Sequence, residues 1–131
     1  FMAGNMKHDI ETEDDIRLLV DKFYEKVISD PDIGFIFTEI VGFSWDKHIP
    51  IMYSFWNSIL LGVPGYFGNP MQKHIVMDKI IRLEKEHFNA WLRLWEQTLH
   101  ENFAGAKTTE ALSRAKNIAA LMQVKIEKSR V

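Results

Sequence analysis

Cysteine is absent from the 131-residue chain, which excludes disulfides, thiolate metal sites, iron–sulfur clusters and a cysteine nucleophile. No run of apolar residues approaches the length of about 20 that a bilayer span requires. No segment sustains the alternation of a strand, and no internal repeat is present. Neither charge sign prevails: 16 Lys and Arg stand against 18 Asp and Glu, a formal net charge of −2. Such a balance provides no electrostatic footprint for nucleic acid or an anionic membrane, so neither is expected as a partner. The first residues lack the charged-then-apolar pattern of a secretion signal, and cytoplasmic residence is the resulting expectation.

What remains is a globular composition. Hydrophobic residues make up 47% and charged residues 26%, enough to enclose the core of a single domain spanning 1–131. Residues 1–11 read as a flexible segment ahead of it. Nine Phe, four Trp and three Tyr are many for this length, and they must fill a dense core or wall a pocket.

The periodicity is helical throughout. Thr12 followed by Glu13, Asp14 and Asp15 places a capping hydroxyl ahead of three acids, a start signal for a helix. Ile16, Leu19, Val20, Phe23, Tyr24 and Val27 then fall on one stripe, and Ser29-Asp30-Pro31 ends it. A short helix is expected over 32–37. Ser44 is a cap for a second long helix running to about Leu61, with Met52, Phe55, Trp56, Ile59 and Leu60 on its apolar side. Pro50 is awkward there, and either moves the start towards His48 or bends the helix. After the glycine-rich loop 62–68, Asn69-Pro70 opens a short helix over about 70–76. Two long helices follow, over about 83–103, closed by Gly105, and from Thr108 or Thr109 to about Glu127. The fold class is all-α.

Single residues say little about chemistry. Among His8, His48, His74, His87 and His100 no pair has the spacing of a zinc helix, and no Cys/His cluster exists. His48 and His74 lie on separate apolar helices, which leaves room for a flat cofactor between them. Taken alone, each reads first as a surface or hydrogen-bonded structural residue. Tyr24 and Trp91 read first as core residues whose O–H and N–H need partners if buried. Met52 and Phe37 are ordinary core types. The glycine-rich loop lacks the Lys and Ser/Thr of a phosphate loop, and no residue set stands out for hydrolysis.

Their order is more informative. Phe23-Tyr24-Glu25-Lys26-Val27, then His48, Phe55-Trp56 with Leu60-Leu61-Gly62, Gln72-Lys73-His74 and Trp91-Leu92 together resemble a truncated haemoglobin, nearest to the third group of that family. The resemblance spans residues 12 to 125. It implies a globin-like fold of two helix pairs packed across each other, with haem b between them. It implies His74 as the axial iron ligand, its remaining ring N–H donating to a carbonyl one turn earlier. It places Tyr24 and Trp91 as donors to a diatomic gas (oxygen, carbon monoxide or nitric oxide), His48 at the gate of the gas site, and Met52 and Phe37 against the haem. Pro50 makes the aim of His48 the least secure of these roles. Lys47, Lys73 and Arg82 are candidate partners for the haem carboxylates by charge alone. The implied function is oxygen binding or transport. The alternatives are an enzyme acting on nitric oxide or peroxide with a separate reductase, or a haem-free helical interaction or sensor domain.

Overall fold

The computed structural model describes residues 7–39, 44–66, 68 and 70–130. Six helices appear among them and no strand. They are α1 (Glu13–Ser29), α2 (Gly34–Glu39), α3 (Trp45–Leu61), α4 (Pro70–Ile80), α5 (Lys85–Asn102) and α6 (Ala106–Ser129). α1 packs on α3 and α5 on α6, and the two pairs meet where α1 touches α5 and α3 touches α6. This is the two-on-two arrangement that the resemblance implies.

Local chemistry accounts for the helix ends. Thr12 caps α1: its hydroxyl accepts the Asp15 N–H at 3.2 Å, and the Asp15 carboxylate accepts the Thr12 N–H at 3.0 Å. This reciprocal pair satisfies donors that a helix start leaves open. The expected stripe is buried in full, from Ile16 to Val27. At the other end the Asp30 carboxylate accepts the N–H groups of Asp32 and Ile33 and so turns the chain. α2 then begins hard against α1, because a Cβ at Gly34 would lie 2.7 Å from the Ile28 carbonyl oxygen. Only glycine permits that approach.

α3 starts at Trp45 with Ser44 at the cap position, so Pro50 lies inside the helix instead of moving its start. The Ser44 hydroxyl makes no capping bond; its carbonyl accepts the His48 N–H at 2.9 Å. Gly62 ends α3 in the left-handed region (φ 67°), where a side chain would be strained.

Several expected boundaries differ. α4 continues past Val76 to Ile80. α5 starts at Lys85, leaving Leu83 buried in the connection before it. Gly105 does not close α5; Phe103 does, and Gly105 is the N-cap of α6, which begins at Ala106. Of the segment expected to be flexible, residues 1–6 lie outside the described ones, and in 7–11 Lys7, His8 and Glu11 are exposed while Asp9 and Ile10 contact the rest of the protein. Ile10 is buried. The Asp9 carboxylate accepts the N–H groups of Lys107 and Thr108 and the Thr108 hydroxyl, each at 2.8 Å. Asp9 therefore caps α6 from the far end of the chain, a contact that no local pattern announces.

The centre of the molecule is aromatic. Trp95 is fully buried, stacks on Trp56 with ring centroids 4.5 Å apart, and donates its indole N–H to the Ala111 carbonyl. Trp91 lies parallel to Trp95, and Phe23 presents its edge to both indoles. Large rings met edge-on or offset contribute about 0.5–1.5 kcal/mol per pair beyond their buried area. This stack is the rigid floor on which the site is built.

Candidate functional site

A cavity of about 320 Å³ lies between the helix pairs and draws its lining from all six helices. The volume is within the range of small-molecule and cofactor sites. Its wall is overwhelmingly apolar. The exceptions among the described residues are Tyr24, His48, Tyr66, Lys73, His74 and His87, together with the Trp56 and Trp91 indoles.

α1 delivers Tyr24 from its buried stripe. The phenol Oη lies 3.0 Å from Nε2 of His48 on α3. Rings pack around the pair: Trp45 is 5.4 Å and Phe37 6.2 Å from the Tyr24 ring, centroid to centroid. Burial pushes the Tyr24 hydroxyl far above the ordinary phenol range, so it keeps its proton. The His48 imidazole is pushed down to about 4, first by burial and then by the charges of His74 and Lys73. Both groups are neutral near pH 7. Pro50 does not displace His48 from the cavity.

His74 stands on α4. Its Nδ1–H donates to the Pro70 carbonyl, one turn earlier, at 2.6 Å. This bond fixes the tautomer and leaves Nε2 holding the ring's lone pair, the form a metal ligand requires. Burial holds the imidazole below the ordinary histidine range, opposed by the bond to Pro70.

Every site residue singled out in the sequence (Tyr24, Phe37, His48, Met52, His74 and Trp91) lines this one cavity. Of the three candidate carboxylate partners, only Lys73 does. Arg82 is exposed and paired with Glu84 at 2.8 Å, and Lys47 is exposed and not among the lining residues. Two polar lining residues were not anticipated. His87 sits one turn before Trp91 on α5, a spacing that puts both on one face, and its Nδ1 accepts the Glu84 N–H at 2.9 Å. Tyr66 comes from the glycine-rich loop and packs its ring against Phe55; no periodicity in that loop points to it.

Residues 7–124 match the model of the family described as bacterial-like globin. The chain is 34% identical over 121 residues to the Group 3 truncated hemoglobin of Campylobacter jejuni, covering 90% of this chain and 93% of that protein. The crystal structure of the group III truncated hemoglobin from Campylobacter jejuni matches with a TM-score of 0.82 at 33% identity, covering 92% of this chain and 95% of that one. The chain belongs to the bacterial-like globin family, and within it is similar to the truncated haemoglobins of group III. It is thus a globin of a haem-binding kind. Among the described residues no helix is long and apolar enough to cross a membrane.

Proposed function

We propose that the cavity would hold haem b, with His74 Nε2 as the protein ligand to its iron, and that a diatomic gas would bind near Tyr24. The observation that carries this reading is the pairing of His74, its Nδ1 committed to Pro70, with a neutral Tyr24–His48 couple in one apolar cavity. The donor set suits the group. Among the described lining residues there is no carboxylate, the walls are largely apolar, and Lys73 offers a cation for the haem carboxylates. When bound, haem supplies an iron centre that takes a small gas such as oxygen or carbon monoxide.

The protein's own part is to exclude water and present a proton. In one tautomer His48 donates Nε2–H to the Tyr24 Oη, and the phenol hydrogen is then free to donate into the cavity. In the other, Tyr24 donates its hydrogen to Nε2 and offers nothing to a ligand. His48 therefore acts as the selector of where the Tyr24 proton goes. Trp91 adds an indole at the same cavity, a second N–H donor for a small ligand.

The same donors suit turnover of nitric oxide or peroxide, since they act on charge developing at a small oxygen species. Electrons for that would come from a separate reductase, and steady nitrate formation from nitric oxide with an added reductase would favour that reading.

Haem titration tests the proposal. Stoichiometric uptake with a sharp Soret band, shifted by carbon monoxide in the ferrous state, is expected. A spectrum that stays that of free haem would refute it and favour a haem-free interaction domain.

A further inference from the structure

The helix that bears His74 is held in an unusual way. α4 packs only against α6 among the described elements, and of its described side chains only Asp78 is buried. Its apolar contacts among the described residues are partial: Ile75 and Met77 pack half-buried against the core, while Val76 is exposed. One turn after His74, the Asp78 carboxylate accepts the Leu83 N–H at 2.8 Å and two guanidinium N–H bonds from Arg130, at 3.0 Å from Nε and 2.6 Å from Nη2. The same Nη2 also donates to the Leu83 carbonyl at 2.9 Å. Both backbone groups of Leu83 are thus committed. Arg130, at the C-cap of α6, joins that helix end to the end of α4 and to the connection before α5.

The lock reaches the cavity directly. Leu83 and Met77, the neighbour of Asp78, both line it. The Arg130 guanidinium holds the Asp78 carboxyl below the usual carboxylate range, and the carboxylate raises Arg130 in turn, so both are ionised throughout the working range. A bidentate guanidinium–carboxylate pair fixes orientation as well as distance.

We infer that Asp78 and Arg130 are positioning residues for His74: their bonds with Leu83 set the rotation of α4, and so the aim of the imidazole and the wall beside it. The inference rests on the reading that His74 ligates haem iron. A merely structural ion pair would lower stability and leave the metal–imidazole bond alone, whereas a positioning pair alters that bond.

The test uses the haem-loaded full chain of wild type, Arg130→Gln and Arg130→Lys, with Arg114→Gln on the outer face of α6 as a control. The iron–imidazole stretching band of the ferrous protein and the rate of haem transfer to a scavenger are measured. Arg130→Gln is expected to shift or broaden the band and to release haem about tenfold faster, the lower end of the effect of losing an outer-shell partner. Arg130→Lys, which keeps the charge and loses the fork, should fall between it and wild type, and it carries the test if Arg130→Gln does not fold. Arg114→Gln should match wild type. An unchanged band and haem-loss rate in the Arg130 variants, even with a lowered melting temperature, would overturn the inference. A wild-type band that survives His74→Gly would instead overturn the ligand assignment beneath it.

Discussion

Tyr24 and His48 share one hydrogen bond inside an apolar wall, and burial keeps both neutral. The consequence for Tyr24 is a phenol able to donate. A donor to a partly negative ligand is worth about 1.5–3 kcal/mol, and each 1.4 kcal/mol is about tenfold. Tyr24→Phe should therefore keep haem yet release oxygen about ten- to hundredfold faster by stopped flow; an unchanged rate would place the phenol hydrogen elsewhere. For His48 the consequence is linkage. Its folded value of about 4 lies below the ordinary 6.5, so between those values the unfolded chain binds a proton that the folded chain refuses. Stability is then lost as pH falls from about 6.5 to 4. His48→Gln removes this titration. Denaturant unfolding should show the variant gaining on wild type as pH falls through that window; a constant difference would contradict the buried, neutral imidazole. These two residues were readable only through their order among the other motifs, since each alone has an ordinary structural explanation. His87 was readable from spacing, one turn before Trp91. The partnership of Asp78 with Arg130 was not, because 52 residues separate them.

At the scale of elements, the long helices α1, α5 and α6 were legible because burial repeats along them with helical period. Of α4 only the start at Pro70 was: its described side chains are mostly half-exposed or exposed, and it runs on past Val76 to Ile80, where polar bonds to distant residues hold its end. The N-terminal segment was opaque for the same reason, as Asp9 caps a helix almost a hundred residues away. Pro50 is a local conflict that the fold overrides. α3 passes through it, and the helix forgoes one backbone bond there. Pro50→Ala restores that donor. A helix-interior proline costs about 3 kcal/mol relative to alanine; set against the greater freedom that alanine gives the unfolded chain, about 0.4–1 kcal/mol, the change should still stabilise by about 2 kcal/mol in urea unfolding. Loss of stability would mean that the helix backbone at this point is shaped around the proline.

For the whole molecule, two helix pairs cross over a tryptophan floor and leave one apolar cavity, with a lone-pair imidazole on α4 and a neutral phenol–imidazole couple on α1 and α3. The architecture follows from helical periodicity. The cavity does not, because a pocket wall and a dense core draw on the same residue types; its polar members mark it as a site. The central claim is that His74 holds haem iron. It is tested most directly by His74→Gly loaded with haem, with its ferrous visible spectrum recorded before and after addition of free imidazole. The account predicts that the wild-type five-coordinate spectrum is lost in the variant and returns when imidazole fills the vacated place. A wild-type spectrum in His74→Gly without imidazole would contradict it.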